Sequence, residues 1–365
     1  MAFADLYRSK RVFVTGHTGF KGSWLTQWLL ELGADVTGYA LPPPTKPSMF
    51  EQIGLQGKIK HIVGDVRDLV KLSAAIAEAR PDFIFHLAAQ PLVRLSYEQP
   101  VETYSTNIMG TVNLLEAVRL EAKPCVVVIV TTDKCYENKE WLHGYREEDP
   151  MGGFDPYSSS KGAAELVVAA YRRSYFSDPK LGIHVATARA GNVIGGGDWA
   201  LDRIVPDCVR SLQKSEAIVV RNKTSTRPWQ HVLEPLSGYL WLGACLSKPE
   251  LSHFGDRLAC AFNFGPELSS NKTVAALVNE VLKHWPGEWL DKSDIHTLHE
   301  AKFLNLATDK AFHLLGWKPT WSFERTIVHT VGWYSNSSHS YDSSLAQIAI
   351  FMEDALAKNA IWSKD

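Results

Sequence analysis

One short segment near the start of the chain limits the fold more than any other feature. A β-rich run at 11–15 ends in a loop that contains Gly16, Gly19 and Gly22, and the apolar residues at 23–32 then recur with helical spacing. In a unit of this kind the first glycine permits a tight turn, the second lets backbone approach a pyrophosphate, and the third allows close packing of helix on strand. The helix N-terminus offers its free N–H groups to the phosphates. The segment therefore predicts a dinucleotide-binding loop; the alternative is that the glycines merely terminate strands.

The same alternation of strand and helix continues along the first half of the chain. Apolar runs predict strands at 35–39, 61–64, 82–87, 126–130, 183–189 and 259–264, and helical patterns occupy 69–80, 107–121, 157–174, 273–285 and 345–358. Near-continuous apolar strands that alternate with helices are typical of a parallel sheet covered on both faces. We therefore expect an α/β fold, a Rossmann-type doubly wound parallel sheet followed by a smaller C-terminal α/β substrate-binding domain.

A change in composition near residue 190 suggests the domain organisation. Beyond it, turn residues, tryptophan and arginine become frequent. We predict that 1–190 forms the NAD-binding domain, with returning segments near 230–265, and that 191–365 forms a smaller domain interleaved with it.

Composition and charge exclude several classes of function. The net charge of −2 gives no electrostatic case for nucleic acid. No apolar run reaches the roughly 18 residues that a membrane helix needs, and the charged N-terminus is unlike a secretory signal. The five cysteines are scattered, without the spacing of metal ligands. We expect no metal, no membrane and no nucleic-acid partner, and reduced thiols in a cytoplasmic protein.

The stretch 131–161 carries the groups that can move protons. Tyr157 and Lys161 are four residues apart, so on a helix they share one face. A nearby ammonium lowers the pKa of a phenol toward neutrality and makes it a usable base. Thr132, at the end of its predicted strand, is placed to hydrogen-bond the same substrate oxygen. The alternative for the Tyr-x-x-x-Lys pair is a solvated helix face.

The loop spacing Gly-x-x-Gly-x-x-Gly resembles that of the extended short-chain dehydrogenase/reductase superfamily. The resemblance implies that Asp65, directly after a strand, binds the adenine amine; the alternative is a helix N-cap. No acid stands at the end of the second strand to bind a ribose 2′-hydroxyl, so this position determines the choice between NAD and NADP only weakly. No arginine stands nearby to bind a 2′-phosphate, which favours NAD. The cofactor-binding residues implied in this way are Gly16, Thr18, Gly19, Phe20, Lys21, Gly22, Asp65, Val66, Leu87, Ala88, Ala89, Tyr157 and Lys161.

Further motifs narrow the resemblance. Those at 86–90, 107–111 and 189–195 are similar to motifs of the sugar nucleotide branch, and those at 131–136, 195–199 and 227–232 resemble the CDP-glucose 4,6-dehydratases. The similarity runs from Arg11 to about Trp333. It implies a redox-neutral elimination with tightly bound NAD: C4 of the glucosyl ring is oxidised, water leaves across C5 and C6, and the hydride returns to C6. CDP-glucose is then the substrate.

The resemblance also distributes roles among the catalytic residues. Tyr157 takes the C4 hydroxyl proton, and Asp133 matches the acid that protonates the departing C6 hydroxyl. Lys134 stands where other sugar nucleotide 4,6-dehydratases have a glutamate base. We expect it to abstract the C5 proton as a neutral amine; the alternative is a salt bridge to Asp133 or Glu137.

The remaining expectations concern substrate and assembly. The predicted substrate contacts are Gln90, Asn192, Arg203, Arg221, Arg227, Trp229 and His231, although each arginine alone is equally consistent with a surface charge. The helices at 107–121 and 157–174 match those that form a dimer contact in the superfamily, which implies a homodimer or a dimer of dimers. Rival interpretations are a sugar nucleotide 4-epimerase, against which Asp133 argues, and a non-catalytic NAD-sensing protein.

Overall fold

A seven-stranded parallel sheet forms the centre of the protein. The computed structural model describes residues 2–252, 255–293, 303–336 and 339–364. The strands lie in the order β3-β2-β1-β4-β5-β6-β11. Their bounds are β1 Arg11–Thr15, β2 Asp35–Ala40, β3 Lys60–Val63, β4 Phe83–His86, β5 Cys125–Val130, β6 Ile183–Ala190 and, after four short strands given below, β11 Ala261–Phe264. The predicted doubly wound sheet is confirmed, and each strand lies within two residues of its expected bounds.

Helices cover both faces of this sheet because its strands are apolar on both sides. One face carries α3, α6 and α7, and the other carries α1 and α9, with α13 packed on α1. The helices of the described residues are α1 Phe20–Glu31, α2 Met49–Gln52, α3 Leu69–Ala79, α4 Val93–Glu98, α5 Pro100–Tyr104, α6 Gly110–Glu121, α7 Pro156–Ser174, α8 Ile204–Gln213, α9 Leu233–Ser247, α10 Val274–His284, α11 Asp309–Leu315, α12 Phe323–Ser335 and α13 Tyr341–Ala357.

Three helix starts differ from the expected positions for local reasons. Helix α13 begins at Tyr341, four residues early, because Ser340 and Ser343 form a capping box there. Helix α1 begins at Phe20, three residues early, because the extended backbone of Gly19 already forms its N-cap. The helix expected at 107–121 is the end of a longer helical stretch. This stretch starts with Pro100 in the first turn of α5 and continues through a π-helical segment, Ser105–Met109, into α6. Proline is favoured in a first turn because its missing N–H would have no partner there.

The second half of the chain contributes to both parts of the structure. Strand β11 pairs with β6, and α9 packs against β5 and β6, so the large sheet is completed from the segment near 230–265. Three two-stranded sheets lie outside it, built from β7 Val193–Ile194, β8 Ile218–Val220, β9 Thr226–Pro228, β10 Gln230–His231, β12 Asn271–Thr273 and β13 Trp289–Asp291. The exact division into two domains stays a prediction, and 294–302 lie outside the described residues.

The strand order positions a ligand site. The chain runs outward from β1 to β3, then returns to place β4 on the other side of β1. The carboxyl ends of β1 and β4 therefore flank the point where the direction of winding reverses, which is where open α/β sheets bind ligands. Among the described residues, we find no helix with the length and apolar character needed to cross a membrane.

Candidate active site

The glycine loop after β1 is held in a conformation that side chains would prevent. Gly16 has a φ of +75°, and a Cβ on it would lie 2.7 Å from the backbone nitrogen of Ala88. A Cβ on Gly22 would lie 2.1 Å from the carbonyl oxygen of Gly16. Gly19 caps α1 without a side-chain hydrogen bond. The loop therefore presents a helix N-terminus whose first N–H groups face an open edge of the sheet, as a pyrophosphate requires.

Threonine hydroxyls join this loop to the neighbouring strand ends. The Oγ1 atom of Thr15 accepts hydrogen bonds of 3.2 Å from the backbone N–H groups of both Leu87 and Ala88. Thr18 donates to the carbonyl oxygen of Leu41, just beyond β2, at 2.9 Å. The predicted cofactor residues that follow the first and fourth strands thus meet at one edge of the sheet, beside the end of the second strand.

Asp65 and Val66 follow β3 at the same edge. The carboxylate of Asp65 accepts from the backbone N–H of Arg67 at 2.8 Å and pairs with its guanidinium, which lowers the pKa of the carboxyl. Val66 is buried and packs where a Cβ on Gly110 would be. The N-cap alternative for Asp65 does not hold, because Asp68 caps α3. An adenine contact by Asp65 remains a prediction.

The catalytic candidates meet where β5 ends and α7 begins. Asp155 caps α7 by accepting from the N–H of Ser158 at 2.9 Å, and Pro156 opens the first turn, so Tyr157 faces the strand ends. The hydroxyl of Thr132 donates to Oδ1 of Asp133 at 3.0 Å and is also hydrogen-bonded to Tyr157. Asp133 is only 2% exposed. Three predicted residues are therefore connected hydroxyl to hydroxyl to carboxylate.

The amine of Lys134 contacts the same carboxylate oxygen of Asp133 as the hydroxyl of Thr132. Its Nζ is 3.5 Å from Oδ1 of Asp133 and 3.3 Å from Oδ1 of Asn192. The salt bridge to Asp133 considered as the alternative for Lys134 is present, whereas Glu137 pairs with Lys139 instead. The lysine side chain is 26% exposed, so it also faces the cleft.

Burial is the largest effect on the pKa values of both Tyr157 and Lys161. Burial raises the pKa of Tyr157 to about 12, although the hydrogen bond with Thr132 and the charge of Arg203 lower it. Burial also lowers the pKa of Lys161 to about 8, and its Nζ donates to the carbonyl oxygen of Val130 at 3.2 Å. The expectation that Lys161 lowers the pKa of this phenol toward neutrality stays a prediction, since desolvation of the phenolate is the largest effect on Tyr157.

The three predicted arginines are spread over different environments. Arg203 pairs with Asp198 at 2.8 Å and is the one whose charge acts on Tyr157. Arg221 is half exposed and pairs with Asp202 at 2.7 Å. Arg227 is buried and donates to the hydroxyl of Ser225 and the carbonyl of Thr226. Only Arg203 joins the catalytic cluster directly.

Three other predicted substrate contacts have structural roles in this arrangement. The Nε1 of Trp229 donates to the carbonyl of Lys272 at 2.9 Å, and the ring is 3% exposed. His231 is fully buried among aromatic rings of the core. The side-chain amide of Gln90 is occupied by its own loop, donating to Leu92 and Thr103 and accepting from the N–H of Leu92. We therefore leave these three out of the site proposed below.

Sequence reasoning missed two buried residues that belong to the cluster. Tyr239 on α9 carries a phenol whose pKa is raised by burial and by the charges of Tyr157 and Asp133. The carboxylate of Glu165 on α7 accepts hydrogen bonds from the hydroxyls of Thr131 and Thr187, the second at 2.8 Å, and from the buried guanidinium of Arg189 at 2.8 Å. Glu165 had a usable signal, since it follows Lys161 by one helical turn. Tyr239 had none, because it stands within an apolar helix.

A cavity adjoins Asp133 on the side of the second half of the chain. Gly191 forms its edge, and a Cβ there would lie 2.8 Å from Oδ2 of Asp133. The other walls include Pro228, Pro266 and Asn305. The cavity thus lies between Asp133 and strand β9, to which Pro228 belongs.

Comparison with known proteins identifies the family of the chain. The family model described as GDP-mannose 4,6 dehydratase matches residues 13–330. The chain belongs to this family of sugar nucleotide 4,6-dehydratases. A CDP-glucose 4,6-dehydratase of Salmonella typhimurium strain LT2 is 51% identical to it over 335 residues, which cover 90% of this chain and 92% of that protein.

Solved structures show that this member of the dehydratase family shares its fold with epimerases as well. A UDP-glucose 4-epimerase of Thermus thermophilus in complex with NAD aligns with a TM-score of 0.76 at 23% identity, covering 90% of this chain and 99% of that one. DesIV, a dTDP-glucose 4,6-dehydratase from Streptomyces venezuelae with NAD and TYD bound, aligns with a TM-score of 0.74 at 24% identity, covering 89% and 96%. At these identities the likeness concerns the fold.

Proposed function

We propose that the protein is an NAD-dependent lyase that converts CDP-D-glucose to CDP-4-dehydro-6-deoxy-D-glucose and water. The observation that carries this proposal is the buried carboxylate of Asp133, hydrogen-bonded to Thr132 and paired with Lys134 beside Tyr157. An oxidation or an epimerisation at C4 needs only the tyrosine and the threonine. An acid and an amine next to them supply the two further proton transfers of an elimination. The 51% identity to a CDP-glucose 4,6-dehydratase supports the choice of substrate.

The residues at the carboxyl ends of β1 and β4 fit a dinucleotide. Gly16 and Gly22 permit a close turn that a Cβ on either would obstruct, and the N-terminus of α1 has no side-chain cap. When bound, NAD accepts the hydride from C4 and returns it to C6. The loop holds the phosphates, Asp65 lies at the predicted adenine end, and Lys161 lies next to Tyr157 at the reacting end.

Tyr157 accepts the proton of the C4 hydroxyl. Burial raises the pKa of this phenol to about 12, so deprotonation needs more positive charge than Arg203 provides. The positive charge of an oxidised nicotinamide is of the required sign. We therefore expect proton removal to depend on cofactor binding.

Asp133 and Lys134 act as a pair that holds one proton. With the proton on nitrogen, the pair is the ion pair seen at 3.5 Å. With the proton on oxygen, it is a carboxylic acid beside a neutral amine, which is the form that elimination needs. The amine then takes the C5 proton, the acid protonates the departing C6 hydroxyl, and the pair returns to its charged form. The ion pair and the general base are thus two protonation states of the same Asp133–Lys134 pair.

The proton count requires one more transfer. After hydride return, the lysine has given its proton back to C5, the phenol of Tyr157 still holds the C4 hydroxyl proton, and Asp133 is ionised. Thr132 is hydrogen-bonded to both. Passage of the proton from Tyr157 through Thr132 to Asp133 restores the starting state, so the C4 hydroxyl proton ends in the released water.

The diphosphate of the substrate needs cations next to this cluster. Arg203 is the best supported candidate, since it acts on Tyr157 and is one-third exposed toward the cleft. Arg221 and Arg227 are further candidates at greater distance from the chemistry. Guanidinium groups suit this task because they can bond phosphate bidentately.

We further propose a cytoplasmic homodimer or dimer of dimers, in a pathway to deoxysugars such as those of lipopolysaccharide O-antigen. Exposed apolar side chains on the two helices expected at the dimer contact support the assembly. Leu120 on α6 is 60% exposed, and Leu166 on α7 is 61% exposed. Light scattering of the wild type and of a Leu166→Glu variant tests it: the variant should be a monomer.

The function is tested by incubating the protein with CDP-, dTDP-, GDP- and UDP-hexoses and measuring product mass. Loss of one water from CDP-glucose, with absorbance of a 4-keto sugar in alkali, is the expected result. Isomerisation without loss of mass would favour an epimerase. No turnover of any sugar nucleotide, with NAD still bound, would favour a sensing protein.

A further inference from the structure

Lys21 is a cation at the catalytic centre for which the reaction above has no use. It occupies the first turn of α1, directly after the glycine loop. Its Nζ donates to the hydroxyl of Tyr239 at 3.4 Å and lies 5.6 Å from the centre of that ring. The lysine side chain therefore leaves the phosphate-binding turn and ends against α9, on the opposite wall of the cleft.

The charges that act on Lys21 are those of the catalytic residues. Burial, the largest cause, and the positive charges of Arg203 and Lys161 together lower the pKa of Lys21 to about 7, although the negative charge of Asp133 opposes them. Tyr239, which accepts from Lys21, is itself acted on by Tyr157 and Asp133. The ammonium thus lies among the groups that surround the reacting carbon rather than at the outer edge of the loop.

This placement gives Lys21 a position along the path of a bound dinucleotide. The pyrophosphate is expected at the N-terminus of α1, and hydride transfer occurs beside Tyr157. A bound dinucleotide would extend from the first place to the second, and the side chain of Lys21 begins at the first and ends against Tyr239, on which Tyr157 acts. Reduction removes the positive charge of that ring. A fixed neighbouring cation repels the oxidised ring and leaves the reduced one nearly unaffected.

We propose that the ammonium of Lys21 favours the reduced over the oxidised form of the bound dinucleotide and so promotes the opening oxidation at C4. This inference rests on the proposed function, in that the cofactor is taken to be NAD. Two anionic diphosphates in the cleft, one from the cofactor and one from the substrate, keep the lysine protonated when both ligands are bound. The positive charge is then present at the step that it assists.

The test is a competition between the two forms of the cofactor. Purified protein is equilibrated with mixtures of NAD and NADH, free cofactor is removed, and the bound fraction of each is measured by absorbance and chromatography. We expect Lys21→Met to shift the ratio of bound forms toward NAD by about tenfold or more, as one charge removed from a poorly screened site implies. Lys71→Met, on the exposed surface of α3, should leave the ratio unchanged.

A second variant separates charge from structure. Lys21→Gln retains a hydrogen-bond donor for Tyr239 but has no charge. It should therefore shift the ratio of bound NAD to NADH by the same amount as Lys21→Met. It replaces Lys21→Met in the test if that variant does not fold. A wild-type ratio in either folded variant would overturn the inference. If the wild type binds neither form, the assignment of NAD fails instead, which is a different result.

Discussion

Replacing Lys134 by methionine should separate the first half of the proposed reaction from the second. The variant keeps the length of the side chain and removes its nitrogen. Asp133 retains its hydrogen bond with Thr132 at 3.0 Å, and the Tyr157–Lys161 pair on α7 is untouched. Oxidation at C4 should therefore proceed, whereas the C5 proton has no acceptor. The reaction should stop with the cofactor reduced and a 4-ketone on the sugar.

The size of the effect follows from what the nitrogen does. A positioned general base contributes about 10²- to 10⁴-fold to a proton transfer. Loss of 10² corresponds to about 2.7 kcal/mol on the barrier. The variant also leaves Asp133, 2% exposed, without its cationic partner. The hydrogen bond with Thr132 still holds this carboxyl in place, so the acid for the departing C6 hydroxyl is retained. The expected loss therefore falls on C5 and amounts to at least about 100-fold.

Exchange with solvent measures this step directly. CDP-glucose and a stoichiometric amount of enzyme are mixed in deuterated water, absorbance at 340 nm follows reduced cofactor, and mass spectrometry follows deuterium at C5. Lys134→Met should show a persistent absorbance and no deuterium uptake. Lys139→Met, which removes an exposed lysine paired with Glu137, is the matched control and should behave as wild type. Deuterium uptake by Lys134→Met at the wild-type rate would remove this lysine from the role of base.

Three further predictions concern the supporting residues. Thr132→Val breaks the connection between phenol and carboxylate and should lower kcat at least about 10-fold, whereas Thr132→Ser should restore most of it; equal rates for the two in steady-state assays would contradict the relay. Glu165→Gln leaves the buried guanidinium of Arg189, 5% exposed, without its counter-ion. The variant should lose about 3 kcal/mol of unfolding free energy in urea titrations. The control Glu148→Gln, at an exposed ion pair, should lose about 0.5 kcal/mol or less. Burial raises the pKa of Glu165, but the guanidinium of Arg189 and the hydroxyls of Thr131 and Thr187 lower it more, so the pKa lies below its ordinary value. The stabilisation by this carboxylate is therefore present above the unfolded-state pKa. The difference in stability between Glu165→Gln and wild type should shrink as the pH falls through the folded-state pKa. Gly16→Ala places a Cβ 2.7 Å from a backbone nitrogen at a φ of +75° and should cost at least about 1 kcal/mol, whereas Gly57→Ala meets nothing within 4 Å; equal thermal stability of the two would refute the steric argument.

The fold was predictable because its signals are local. A glycine loop between a strand and a helix, followed by apolar strands at regular intervals, has few solutions other than a doubly wound parallel sheet. The strand bounds at 11–15 and 183–190 followed from apolar runs alone. The helix at 233–247 escaped detection because it is buried on all sides, and a helix without a polar face has no amphipathic period to read.

The site was predictable only where sequence neighbours are also neighbours in space. Thr132, Asp133 and Lys134 share one strand end, and Tyr157 and Lys161 share one helix face. Three other residues were predicted to contact the substrate because their side chains and motifs suit that role. Their observed partners lie instead in the core or in neighbouring segments of the chain, as for Gln90, Trp229 and His231. Whether an indole or imidazole faces a cleft depends on packing from distant elements, and a single sequence does not contain that information.

The charged side chains of the catalytic cluster predict how ligand binding should change the stability of the protein. Among the described residues, the cations of the catalytic cluster include Lys21, Lys134, Lys161 and Arg203, and its carboxylates include Asp133, Glu165 and Asp198. The burial that lowers the pKa of Lys21 and Lys161 measures the cost of holding cations there without enough counter-charge. Two diphosphates supply the missing negative charge. Ligands that bind only the folded state stabilise it by mass action, so cofactor and substrate should each raise the melting temperature, and Lys21→Met should reduce that gain while stabilising the ligand-free protein.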